Sequence, residues 1–128
     1  MNLLLDTHAL IWWLAGSPQL SAPARSAIEN TQSITWVSAA TAWEITTKYR
    51  MGKLPQVAPV VGNLAHELQR RGFELLDISF AHACLAGNLR HDHKDPFDRM
   101  LIAQSLLENY ALVSNEALFD SFGIQRIW

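Results

Sequence analysis

The chain has 128 residues, enough for one domain with a single core. Apolar residues make up 49% and charged residues only 17%, which excludes a disordered chain. Ten Lys and Arg against twelve Asp and Glu leave a net charge of −2. A uniformly basic nucleic-acid binder is thereby excluded, although a local basic patch is not. The single Cys84 cannot close an internal disulfide, so an intracellular, cytoplasmic compartment is expected. No basic stretch leads an apolar run at the N-terminus, so no signal peptide is expected. No apolar run reaches the ~20 residues that span a bilayer, so no membrane partner is expected.

The predicted elements alternate between strand and helix. Met1 to Leu5 reads as a short, continuously apolar strand of the kind buried on both faces of a parallel sheet. Thr7 to Ala15 reads as a helix stopped by Gly16-Ser17-Pro18. Ala22 to Asn30 forms a second helix, begun by Ser21 with Pro23 in its first turn. Ser33 to Val37 has strand composition, and Ser38 caps a helix through Tyr49, with Gly52 near its end. Val60 to Arg71 reads as a helix ended by Gly72, and Phe73 to Leu76 as a strand. Ser79 to Gly87 is a short helix, and residues 88–95 form a polar loop. Pro96 to Asn109 is a helix, Ala111 to Ser114 a strand, Glu116 to Ser121 a helix, and Gln125 to Trp128 a terminal strand. This order implies an α/β fold with a mostly parallel sheet, organised as one domain over residues 1–128.

Four acidic residues stand out. Asp6 ends the first strand, Asp98 opens a helix, and Glu116 follows the strand at 111–114. In a parallel sheet all three junctions lie along one edge, where such folds place their sites. Glu44 sits among Ala39, Ala40, Ala42, Trp43 and Ile45, and spacing puts Ala40, Trp43, Glu44 and Thr47 on one face. An acid on a largely apolar face is costly unless paired or bound to metal. Each residue also has a structural reading. Asp6 suits a helix N-cap, Asp98 the reciprocal acid of a capping box, Glu116 the positive end of a helix dipole, and Glu44 the rim of an apolar stripe. Carboxylates that gather need a cation, and Mg²⁺ or Mn²⁺ are the hard ions that prefer oxygen.

Other candidates are weaker. His91 and His93 resemble a metal pair, but no third spaced ligand completes a zinc set, so they read as a solvated loop or a phosphate contact. Lys48, Arg50, Lys53 and Lys94 could touch a phosphate backbone or simply solvate helix ends. The five tryptophans read mostly as core. There is no Gly-x-Ser-x-Gly elbow and no phosphate-cradling glycine loop.

Several segments together carry a resemblance. They are Leu4-Leu5-Asp6-Thr7-His8, Val37-Ser38-Ala39-Ala40-Thr41-Ala42-Trp43-Glu44-Ile45, Asp95-Pro96-Phe97-Asp98-Arg99-Met100-Leu101-Ile102-Ala103-Gln104 and Leu112-Val113-Ser114-Asn115-Glu116. In this order they resemble PIN-domain proteins, and more narrowly the VapC-type toxins of prokaryotic toxin–antitoxin pairs. The resemblance implies a PIN-like α/β/α sandwich and a Mg²⁺- or Mn²⁺-dependent endoribonuclease. It implies Asp6, Glu44, Asp98 and Glu116 as catalytic and metal-binding residues. Glu116 stands where the family usually has Asp or Asn. Thr7 matches a frequent hydroxyl neighbour of the first acid, and Asp95 an acid of structural character. The implied partners are RNA, a small antitoxin protein that covers or enters the acidic pocket, and a second copy in a homodimer. A carboxylate-held divalent ion suits phosphodiester cleavage, since it supplies an activated water and neutralises phosphate charge. The rival expectations are a non-catalytic interaction module on the same fold and a metal-dependent phosphatase or flap-type DNA nuclease.

Overall fold

Leu3, Leu4 and Leu5 are fully buried, and a strand with three adjacent buried residues must be covered on both faces. The computed structural model, which describes residues 1–128, places this strand, β1 (Asn2–Leu5), at the centre of a five-stranded sheet. The other strands are β2 (Ile34–Ser38), β3 (Glu74–Leu76), β4 (Ala111–Val113) and β5 (Arg126–Ile127). Their order is β3-β2-β1-β4-β5, and every pairing is parallel. The chain winds outward from β1 to β3, then crosses back to build β4 and β5 on the other side. The reversal of winding falls beside β1, which is where open α/β sheets leave a crevice at their strand C-terminal ends.

The helices are α1 (Thr7–Ala15), α2 (Ala22–Glu29), α3 (Ala39–Arg50), α4 (Ala58–Val61), α5 (Leu64–Arg70), α6 (Phe80–Asn88) and α7 (Pro96–Glu108). Leu3 and Leu5 face the larger core, with Leu10, Ile45, Val60 and Leu68 from α1, α3, α4 and α5. Leu4 faces the smaller one, with Leu101, Ile102, Leu112 and Phe119. The result is the expected α/β/α sandwich. Each fully buried leucine contributes roughly 2 kcal/mol through removal of apolar surface from water.

Local signals explain most helix starts and two of the helix C-termini. Asp6, Ser21, Ser38, Ser79 and Asp95 each accept a backbone N–H at a helix start. Gly16 ends α1 in the left-handed conformation (φ +62°), and Asn109 does the same for α7 (φ +57°). Two expectations change. The helix expected over 60–71 is interrupted at Gly62-Asn63, where two poor helix formers let the chain step so that Val60, Leu64 and Leu68 all reach the core. The segment after β4 is a tight 3₁₀ turn over Ala117–Phe122 in place of an α-helix.

Four of the five tryptophans pack against the two cores, though none is fully buried. Trp12, Trp13, Trp36 and Trp128 are half-buried around the edges of the layers, and Trp43 is 60% exposed. The buried side of α3 is therefore Ala40, Thr41, Glu44 and Ile45, shifted from the expected face by the outward turn of Trp43.

Candidate active site

Register brings the first acid into place. Leu5 pairs with Val113, so Asp6 and Ser114 lie side by side as β1 and β4 end. Asp6 donates its backbone N–H to Val113 O (3.1 Å) and accepts the Ala9 N–H on Oδ1 (2.8 Å). It is therefore the helix cap that its position suggested. It is also more than a cap. Asp6 is only 5% exposed and forms no ion pair with a lysine or arginine. Burial lifts its carboxyl from 3.8 to about 6, against the lowering effect of the Ser114 hydroxyl, the Ala9 N–H and the charge of His8; the charge of Asp98 adds to the rise.

Glu44 projects from the second turn of α3 and is 5% exposed. The Thr7 hydroxyl donates to its Oε1 at 2.6 Å, and the Lys48 ammonium, one turn further along α3, pairs with its Oε2. Asp98 lies in the first turn of α7. It does not close a capping box: Asp95 alone caps α7, accepting the N–H groups of Phe97 and Asp98 on Oδ1. The Asp98 carboxylate turns to His93, whose Nε2 lies 2.8 Å from Oδ2. Burial raises the Asp98 carboxyl above its ordinary value, opposed by that hydrogen bond and assisted by the charges of Asp95 and Glu44. Asp98 thus adds to the rise at Asp6, and Glu44 to the rise at Asp98.

Glu116 is placed differently. It is exposed just beyond β4, its N–H bonded to Ser114 Oγ at 3.0 Å, and no hydrogen bond or ion pair ties its side chain to the other three acids.

Three residues matter more than the sequence suggested. His93 is half-buried and oriented onto Asp98, not solvated in its loop; its place five residues before an acid was the available signal. Lys48 is four residues after Glu44, the spacing of a helical ion pair. Arg99, immediately after Asp98, gathers the α6–α7 loop. Its guanidinium donates to the carbonyls of Ala86, Gly87, Leu89, His91 and His93. Nothing local in the sequence announces that role.

No three His, Cys, Asp or Glu side chains stand close enough together to hold an ion directly. The donor chemistry nevertheless fits Mg²⁺, which is held through one or two carboxylates and keeps several waters. Asp6 and Asp98 are the carboxylates whose burial and mutual repulsion an added cation would relieve. A separate apolar hollow of about 190 Å³ lies between α3, α6 and α7, lined by Trp43, Ile78, Phe97 and Met100 among others.

The PIN domain family model matches residues 3–124. The chain belongs to the PIN domain family. This PIN domain is 35% identical over 69 residues to ribonuclease VapC16 of Mycobacterium tuberculosis. That match spans 51% of the chain and 49% of the relative, about half of each. Two solved structures share the fold along nearly its whole length. The VapBC2 structure from Rickettsia felis, bound to a DNA fragment from its promoter, superposes with a TM-score of 0.72 at 17% identity, covering 98% of this chain and 97% of that one. The DNA-bound VapBC structure from Salmonella typhimurium superposes with a TM-score of 0.70 at 21% identity, covering 98% and 96%. No helix of the domain is long and apolar enough to cross a membrane.

Proposed function

We propose that this chain is a single PIN domain over residues 1–128 acting as the toxin of a toxin–antitoxin pair, and that it is a Mg²⁺- or Mn²⁺-dependent endoribonuclease. One observation carries the reading. Asp6 is a buried carboxylate at the crevice of the sheet, raised to about 6, repelled by Asp98 and without a lysine or arginine partner. A fold retains such a strained group where a cation or substrate makes use of it. The relative named a ribonuclease supports RNA as the substrate.

Asp6 and Asp98 would be the principal carboxylates for the metal, with Glu44 and Glu116 as further acids of the site. The metal supplies, when bound, charge neutralisation at the phosphate and activation of water. The chain's own residues do the rest. The Ala9 N–H fixes Asp6, and His93 fixes Asp98 by holding Oδ2. The Thr7 hydroxyl and Lys48 hold Glu44, a candidate to orient water or accept its proton. Glu116, being exposed, would act by shaping the negative field at the rim.

The proposed partners are a second copy of this chain and a small antitoxin. Trp43 and the 88% exposed Phe80 offer apolar anchors of the kind interfaces use. An antitoxin arginine would match the carboxylates through its planar fork. The test incubates purified protein with mixed RNA and DNA under Mg²⁺, Mn²⁺ or chelator. RNA cleavage with either metal and none with chelator is expected. Activity that survives chelation would refute metal catalysis. In cells, growth arrest by the wild type but not by Glu44→Gln, relieved by the adjacent small gene, is expected.

A further inference from the structure

Glu44 is the one acid of the pocket already supplied with a full positive charge. Lys48 reaches it across one helical turn, and the Thr7 hydroxyl holds its other oxygen. A Glu–Lys pair at this spacing is usually an exposed ornament of a helix surface. This pair is lopsided: the Glu44 side chain is 7% exposed and the Lys48 side chain 35%. A buried carboxylate without a partner would be heavily penalised, so the ammonium is what permits Glu44 to lie buried. The lysine itself still faces water, on a flexible four-carbon stem, and can leave without being stranded. Asp6 and Asp98 have no such companion: one has no ion pair, the other only a histidine.

We propose that Lys48 is an exchangeable resident cation, which occupies Glu44 while the pocket is empty and must be displaced from Oε2 before Glu44 can serve a divalent ion. This rests on the metal-dependent reading above. Both cations would draw on the one carboxylate, so Lys48 opposes metal binding and keeps the affinity of the pocket below what its carboxylates alone would give. Lys48 is therefore a positioning residue, acting through Glu44.

The experiment is Mn²⁺ titration by calorimetry, with metal-free melting, on wild type, Lys48→Met, Lys48→Gln, Asp98→Asn, Glu44→Gln and the Glu44→Gln/Lys48→Met double variant. Lys48→Met should bind Mn²⁺ about ten-fold more tightly than wild type, the scale on which a neighbouring positive charge opposes the binding of another cation to a carboxylate. Without metal it should melt lower, and with Mn²⁺ its melting temperature should rise further than the wild type's. Lys48→Gln keeps an N–H for Oε2 without the charge and should shift affinity in the same direction, which covers the case of a poorly folding methionine variant. In the Glu44→Gln background, Lys48→Met should change nothing. If Asp98→Asn has lost Mn²⁺ while the lysine variants bind it no better than wild type, the exchange is refuted and the metal site stands. If Asp98→Asn binds as wild type does, the metal site and the exchange both fall.

Discussion

Asp6 and Asp120 carry the same side chain under opposite conditions. Asp120 is exposed and doubly bonded by Arg126, at 2.8 and 3.1 Å, which lowers its carboxyl below the ordinary value. Asp6 is buried without such a partner and is raised to about 6. The arginines divide in the same way. Arg126 serves a carboxylate at the surface, whereas Arg99 serves only backbone carbonyls behind the site. An ion pair in water is a modest contact whose partners suit each other. A carboxylate kept dry with another close by is costly, and the surrounding hydrogen bonds hold it there.

Substituting Asp98 by Asn should separate the two regions most sharply. On the proposed metal-dependent nuclease reading, RNA cleavage should fall by more than about 100-fold, since a metal ligand would matter at least as much as the groups that orient one. The same change at Asp120 should leave cleavage within error. A fully active Asp98→Asn protein would erase the distinction.

Next in size is Arg99. Lys cannot reach five carbonyls in a fork geometry, so Arg99→Lys should strand several of them and lower stability by on the order of 3 kcal/mol, read by urea unfolding. An unchanged midpoint would mean that the loop is held elsewhere.

Asp6→Asn keeps a cap acceptor for Ala9 and removes the buried charge. The folded carboxyl titrates above the unfolded one, so wild-type stability attributable to Asp6 is present below pH 3.8 and lost as pH rises through about 6. In chelator at pH 8, Asp6→Asn should therefore be more stable than wild type, by about 3 kcal/mol for a rise from 3.8 to about 6. The gap should close by pH 4. A gap independent of pH would show that the charge is not its source.

The smallest effect belongs to the surface pair. Asp120→Asn should leave the urea midpoint within error of wild type, and added salt should mask even a small shift. A larger loss would move Asp120 from the ordinary surface to the framework, through the bond of Arg126 to Ser114 O.

What could be read from the chain follows the reach of each signal. Caps are local, and Ser21, Ser38, Ser79 and Asp95 begin helices where expected. The parallel sheet followed from the apolar run Leu3-Leu4-Leu5 and the alternation after it. Asp6, Asp98 and Glu116 were legible as acids on one edge and Glu44 as an acid on a largely apolar helix face, but their unequal settings were not, least of all the exposed and untied side chain of Glu116. Lys48 on Glu44, His93 on Asp98 and the absence of an ion pair at Asp6 depend on what the fold brings near, not on what stands beside them in the chain. The outward turn of Trp43 and the break at Gly62-Asn63 were hidden for the same reason, since packing against distant elements decided both.

The grip of Arg99 has an evolutionary side. It fastens residues 86–93 through main-chain oxygens, which every amino acid possesses. The path of that segment is thus insulated from its own composition. Asn88, Arg90 and Asp92, all exposed and none of them bonded by the guanidinium, can be exchanged without loosening the turn that presents His93. Mutation can rewrite the outer lettering of this loop one residue at a time while the main-chain path beneath keeps its shape.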